Sequence, residues 1–180
     1  MSVRSCIGNL LDDDAEALID PVNCVGVMDR GLALQFRRRW PAHHAAYVEA
    51  CKRRQIRPGA LLITHAADTK QRLVAFPTKR HWSEKSRLDD IEAGLLALRE
   101  FTLDERIVSI AVPPLGCGLG GLDWHRVRPR IVAALGNAPV EARLYEPIPQ
   151  SGVDRSIDAI DRGGRHAFNG AGFGRVALRF

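Results

Sequence analysis

Residues 107–112 read Ile107-Val108-Ser109-Ile110-Ala111-Val112, and residues 113–123 continue Pro113-Pro114-Leu115-Gly116-Cys117-Gly118-Leu119-Gly120-Gly121-Leu122-Asp123. An apolar, β-branched run of this length reads as a buried parallel strand. Residues 124–135 carry Val127, Ile131 and Leu135 at a spacing of four and read as a helix ended by Gly136-Asn137. The glycines between the two elements therefore form a strand-to-helix loop. Lacking a Cβ, they let backbone N–H groups turn toward a ligand. The helix that follows adds its positive N-terminal end, so the loop is suited to an anion.

Gly116, Gly118 and Gly121 also satisfy G-x-G-x-x-G, a dinucleotide fingerprint when read alone. A dinucleotide fold places that turn at the start of a long doubly wound sheet. Here more than half the chain precedes it and one clear strand, residues 141–145, follows. A nicotinamide-dependent enzyme and a purely structural turn stand beside the anion loop as alternatives.

The chain has 180 residues, enough for one domain with a self-sufficient core. At 46% hydrophobic and 26% charged residues, its composition is that of a soluble globular protein. No run approaches the ~18 apolar residues of a membrane span, and residues 1–11 lack a basic segment followed by an apolar one, so neither membrane nor signal peptide is expected and the expected location is the cytoplasm. Cys6, Cys24, Cys51 and Cys117 show no C-x-x-C spacing, and the six histidines are scattered. No disulfide, metal or cofactor is therefore expected. A formal charge of +5 suits a polyanionic partner without identifying one.

The same strand, loop, helix grammar occurs earlier. Residues 17–23 read as a strand, Cys24 to Gly31 as a glycine-containing loop, and Leu32-Ala33-Leu34-Gln35-Phe36 as the opening of a helix closed by Arg37-Arg38-Arg39-Trp40. Two such loops can clasp one ligand across a sheet. The three arginines read either as a solvated helix end or as a phosphate contact. Residues 3–7, 60–65, 73–76 and 141–145 complete the strands. A second helix runs from Pro41 to about Arg54, and a third starts near Ser86, a candidate N-cap, with Ile91, Leu95, Leu98 and Phe101 on its buried face. This order implies an α/β fold, a mixed sheet covered by helices on both faces. Between strand and third helix, Lys79-Arg80-His81-Trp82 combines ammonium, guanidinium, imidazole and indole. That mixture neutralises phosphates and stacks bases, and it also fits a surface loop anchored by Trp82.

From Pro147 the periodicity fades, and six of the 16 glycines fall beyond it. Residues 148–180 are expected to be a weakly structured extension or to dock on the domain, with residues 175–180 a candidate docking strand.

Three separated motifs, Val22-Asn23-Cys24-Val25-Gly26-Val27-Met28 with Gly31 to Phe36, Phe76 to Trp82, and Pro113 to Trp124, resemble the macrodomain of DarG-type DNA ADP-ribosyl glycohydrolases. The resemblance covers residues 1–147. It implies a three-layer α/β/α macrodomain with a central, mixed, roughly six-stranded sheet. It also implies a monomeric antitoxin enzyme that removes ADP-ribose from thymine in single-stranded DNA, reversing the modification made by a partner transferase toxin.

Carried onto this chain, the resemblance implies that Asn9 and Leu10 meet the adenine end. Val25, Gly26, Val27, Met28, Gly31 and Leu32 would hold one side of the diphosphate and distal ribose. Pro114, Leu115, Gly116, Cys117, Gly118, Leu119, Gly120 and Gly121 would hold the other side. Asn23 would hold the ribose hydroxyls and Lys79 would act at the anomeric carbon, as a proton donor or as an amine nucleophile. Arg80, His81 and Trp82 would hold the DNA.

Four departures accompany it. Asn9 replaces an aspartate, Asp20-Pro21 replaces Asn-Thr, and Asp29-Arg30 replaces Gly-Lys. Gly120 stands where a related protein glycohydrolase has a catalytic aspartate. The family's large toxin-binding C-terminal domain has no counterpart in residues 148–180. A non-catalytic ADP-ribose reader, and a hydrolase of guanine-linked or protein-linked ADP-ribose, are the alternative functions.

Overall fold

In the computed structural model, which describes residues 2–147 and 177–179, the alternation of side chains along the strands sorts the core into two layers. In β2 (Ala17–Val22), Ala17 and Ile19 face one side while Leu18 and Val22 face the other. β4 (Arg72–Pro77) repeats the pattern, with Val74 and Phe76 on the first side and Leu73 and Ala75 on the second. The first side is covered by α3 (Leu88–Asp104) and α4 (Trp124–Leu135) through Ile91, Leu95, Leu98, Phe101, Val127, Ile131 and Leu135. The second is covered by α1 (Gly31–Arg39) and α2 (Pro41–Lys52) through Phe36, Tyr47 and Ala50, with Trp40 at their junction. The fold is thus the expected three-layer α/β/α.

With β1 (Val3–Cys6), β3 (Leu61–His65), β5 (Ser109–Val112), β6 (Glu141–Tyr145) and β7 (Ala177–Arg179), the sheet runs β1-β6-β5-β2-β4-β3-β7. All pairs are parallel except those of β3, which is antiparallel to both β4 and β7. Six strands come from residues 2–147, and the short strand read near the C-terminus adds a seventh on the β3 edge. The remainder of the expected extension, residues 148–176 and 180, lies outside the described residues.

The pairing of β2 decides where a ligand can enter. β2 and β4 are registered along all of β2, from Ala17↔Arg72 to Val22↔Pro77, whereas β2 and β5 share only Ala17↔Ile110 and Leu18↔Ala111. Beyond those residues the two central strands part. The chain leaves β2 toward α1 and α2 on one face and leaves β5 toward α4 on the other, so the gap is a topological switch point at the carboxyl ends of parallel strands.

One local expectation changes. Ser86 is not the cap of α3: the helix starts at Leu88 with Arg87 as N-cap, and Ser86 is buried one residue earlier, its N–H donating to the Gly120 carbonyl at 3.0 Å. Asn9, after the first strand, caps a 3-10 turn at Leu10–Asp12, its side chain accepting from Leu11 N–H at 3.2 Å.

The α3 layer approaches the sheet closely at one point. A Cβ built on Gly94 would lie 2.3 Å from the Phe76 ring, which is itself fully buried. Glycine in a helix ordinarily costs ~1 kcal/mol against alanine. Here the ring has nowhere to move, and overpacking outweighs propensity. Gly94→Ala is therefore expected to destabilise the protein by about 1–3 kcal/mol, read as a lower urea midpoint at unchanged slope; equal or greater stability would contradict the close contact.

Candidate functional site

Three loops meet over the gap between β2 and β5 and enclose a cavity of about 940 Å³. They follow β2 (residues 23–31), β4 (residues 78–87) and β5 (residues 113–123), all at the same end of the sheet.

The first loop is held by polar groups within the protein. Asn23 is 8% exposed. Its Oδ1 accepts from Val25 N–H at 2.9 Å and Val27 N–H at 3.3 Å, and its Nδ2 donates to the Val27 carbonyl at 2.6 Å. One N–H of the amide is left for the cavity. Tyr47, on α2 and fully buried, completes the arrangement. Its hydroxyl lies 2.8 Å from the Asn23 carbonyl and 2.9 Å from Asn23 Oδ1, and accepts from Gly26 N–H at 3.2 Å. Burial pushes the phenol far above its ordinary value, so it stays a neutral donor. The helical spacing marks Tyr47 only as core; its hydroxyl role has no signal in the sequence.

The second loop carries Lys79, whose Nζ donates to the Leu119 carbonyl at 2.8 Å and lies 3.4 Å from the Trp82 carbonyl. The ammonium thus spans from its own loop to the glycine loop. Its pKa is lowered, first by burial and then by the neighbouring Lys85 charge. Arg80 has a different engagement: its guanidinium makes a two-pronged pair with buried Asp90, Nε to Oδ2 at 3.0 Å and Nη2 to Oδ1 at 2.9 Å. That pair ties the loop to the first turn of α3. Trp82 remains 57% exposed beside the His81 ring, with centroids 5.3 Å apart.

The third loop leaves no room for a side chain at Gly120. A Cβ on Gly120 would fall 2.1 Å from Ser86 Oγ and 2.4 Å from the Gly116 carbonyl oxygen. Gly116 is held at φ +71°, and Leu122 N–H closes the turn on its carbonyl at 3.0 Å. An aspartate at position 120 is incompatible with this loop. Cys24 and Cys117 are pushed up by burial, to about 12 and about 11, so neither thiol is a nucleophile near neutrality.

Of the residues singled out in the sequence, Asn23, Val27, Gly31, Leu32, Lys79, Trp82, Pro114, Gly116, Gly118, Leu119 and Gly120 line the cavity. Val25, Gly26, Cys117 and Gly121 belong to the same loops behind or beside that lining. Met28, Leu10 and Leu115 are buried in the core, and none of the three lines the cavity. Asn9 is committed locally to Leu11 N–H and, through Nδ2, to Asp12 at 2.8 Å. Arg30, Thr78 and Ser83-Glu84-Lys85 also line the cavity and were not singled out as ligand contacts. The arginine-rich helix end turns outward, with Arg37 paired to Asp29 at 2.7 Å and Arg39 to Asp12 at 2.8 Å. Among the described residues no cluster of His, Cys, Asp or Glu is placed to hold a metal ion, and no helix is long and apolar enough to cross a membrane.

Such a fold, with its ligand cleft at the switch point between two glycine-containing loops and a lysine across it, defines a class of nucleotide-binding α/β/α domains. The macro domain model matches residues 19–131, and the chain belongs to that family. It is 45% identical over 157 residues to a DNA ADP-ribosyl glycohydrolase of Mycobacterium tuberculosis, covering 86% of this chain and 44% of the relative. It is 44% identical over 149 residues to one of Thermus aquaticus, covering 81% and 41%. The chain thus spans less than half the length of these curated relatives. Among solved structures, the macrodomain of Mycobacterium tuberculosis DarG aligns with a TM-score of 0.79 at 43% identity, covering 82% of this chain and 99% of the other. Thermosipho africanus DarTG in complex with ADP-ribose aligns at 0.72 and 34%, covering 81% and 43%.

Tyr47→Phe removes the acceptor of Gly26 N–H and the hydroxyl on Asn23 while keeping the ring. It is expected to cost about 1–3 kcal/mol, because buried polar partners lose their bonds, and to speed amide exchange at Val25 to Val27. Unchanged exchange there would show that Asn23 holds the loop unaided.

Proposed function

We propose that this chain hydrolyses ADP-ribose from modified bases in single-stranded DNA, with thymidine-linked ADP-ribose as substrate. The observation that carries the reading is the position of Lys79: it lines the cavity and its Nζ donates to the Leu119 carbonyl of the glycine loop, from the loop that also presents Trp82. The likeness to the two glycohydrolases supports the reaction type, and the ADP-ribose complex of the Thermosipho africanus protein supports the ligand.

The roles follow from the site. The backbone of residues 25–31 and 114–121 grips the diphosphate, as glycine-containing loops beside helix starts do. Asn23 offers its remaining amide N–H to the ribose. Trp82 and Leu119, 57% and 63% exposed at the mouth, flank the departing base. Cleavage breaks the bond between the anomeric carbon and the base nitrogen. The bonding electrons leave with the base, which takes up a proton, and water completes the sugar. Lys79 places its ammonium at the cavity wall, within hydrogen-bond reach of the Leu119 and Trp82 carbonyls. It serves there as proton donor or, in the neutral form favoured by its surroundings, as an amine acting on the sugar. A DNA ADP-ribosyltransferase is the enzyme class that supplies this substrate. A relative from Thermosipho africanus, 33% identical over 158 residues, is named as a fusion of that transferase with a glycohydrolase. All three loops come from one chain, so a monomer suffices.

Lys79→Ala is expected to lower release of ADP-ribose from a thymidine-modified oligonucleotide by at least a hundredfold, while ADP-ribose affinity measured by calorimetry changes little. Full residual turnover would remove Lys79 from the chemistry, and binding without turnover in the wild type would make the chain a reader.

The pH profile separates the two roles. With the Lys79 pKa lowered from 10.5 by burial and by Lys85, the neutral amine accumulates at lower pH than for a free lysine. If the amine acts, kcat rises with pH through that lowered value. A decline across the same interval would assign the ammonium as donor.

A further inference from the structure

Lys85 sits in no motif, yet its side chain lies along the glycine loop. A Cβ built on Gly121 would be 3.0 Å from Lys85 Nζ, 3.3 Å from its Cδ and 3.7 Å from its Cε, so the bare glycine, held at φ +74°, is what lets the stem lie flat and the ammonium reach the cavity wall. Among the described residues Lys85 has no ion pair, whereas Arg37, Arg39, Arg80, Arg128 and Arg130 are each matched to a carboxylate. Lys85 is also near enough to Lys79 for the two charges to repel.

The balance of charge in the lining points the same way. Arg30, Lys79 and Lys85 face the cavity against Asp29 and Glu84, and Asp29 is already paired to Arg37. Two like charges held beside one glycine loop without a counter-ion cost free energy that an anion on the ligand recovers.

We propose that Lys85 is a phosphate-binding residue of this site, holding an anionic oxygen of the substrate over the Gly121 end of the loop. The inference rests on the reading of the cavity as a site for ADP-ribosylated DNA, whose anions are the diphosphate and the backbone phosphates. Both present the same oxygen chemistry to an ammonium.

Lys85→Met keeps the apolar stem and removes the charge, and Lys85→Arg keeps the charge. In the full chain, each is compared with wild type for ADP-ribose affinity by calorimetry, and for release of ADP-ribose from a modified single-stranded oligonucleotide over a range of salt. Circular dichroism and thermal melting establish that the variants fold. Lys85→Met is expected to lose about tenfold or more in one of the two, as charge-assisted contacts do, with Lys85→Arg largely restored.

Lost ADP-ribose affinity places the ammonium on the diphosphate. Unchanged ADP-ribose affinity with a raised KM on DNA, and a logarithmic salt slope shallower by ~0.7, places it on a backbone phosphate. A folded Lys85→Met matching wild type in both measurements overturns the proposal while leaving the glycohydrolase reading intact. A wild type that binds ADP-ribose through Lys85 but releases none from DNA overturns that reading and keeps the proposal. A wild type that binds neither ligand overturns both.

Discussion

The early end of the pairing between β2 and β5 is the constraint from which the site follows. A parallel pair continued to Val22 would have filled the centre of the sheet with ladder hydrogen bonds. Instead the last registered residues are Leu18 and Ala111, and β2 remains anchored through β4 alone. The carboxyl end of β2 can therefore deliver Asn23 to one side of a gap while β5 delivers Pro114 and Gly116 to the other. The apolar layers are what make this tolerable. Ile19, Val112 and Leu115 stay fully buried beneath the opening, so the strands separate without admitting water to the core.

Each loop is held by protein groups before any ligand arrives, which is how a binding site avoids spending affinity on ordering itself. Asn23 and Tyr47 shape the first loop, the Arg80–Asp90 pair fixes the second to α3, and Ser86 N–H with the Leu122 turn fixes the third. Lys79 differs because it spends its hydrogen bonds on two backbone carbonyls, Trp82 in its own loop and Leu119 in the third. Those bonds are exchangeable for substrate oxygens or for a base at little cost. The catalytic candidate is thus held by backbone carbonyls alone, while its neighbour Arg80 is committed to a buried carboxylate.

The layers and the loops were legible in the sequence for a simple reason. Period-two strands, the spacing of Val127, Ile131 and Leu135, and the glycine runs are local signals, and residues 124–135 and 141–145 fall where they were read. The polar engagements were not legible, because they join residues far apart in the chain. Nothing near Tyr47 indicates that its hydroxyl reaches Asn23, and nothing near Arg80 indicates that Asp90 captures it. Lys85 was missed because its relevance depends on lying beside Gly121, 36 positions away, in a contact that only the folded loops create. Resemblance filled part of this gap by supplying a ligand. It also pointed to Met28, Leu10 and Leu115, whose side chains are core, because a motif transfers positions without saying whether backbone or side chain acts.

The departures from the family pattern divide along the same line between backbone and side chain. Gly120 has no space for a Cβ, so a carboxylate there would require a different loop, and the third loop is left to bind through its backbone. Asp20, by contrast, keeps room for its side chain but is partnered through one carboxyl oxygen alone, its buried Oδ1 having no hydrogen-bond partner among the described residues. It is fully buried, with Oδ2 3.3 Å from His43 Nε2, and His43 Nδ1 lies 2.7 Å from Thr64. Burial raises its pKa and the His43 contact opposes that rise. This buried chain joins β2, α2 and β3 directly beneath Pro21 and Asn23. The Asp20–His43–Thr64 chain thereby ties the helix that carries Tyr47 to the strand that leads into Asn23. The Asp20 substitution alters how the first jaw is supported, while Pro21, Asp29 and Arg30 change what that jaw presents to the cavity.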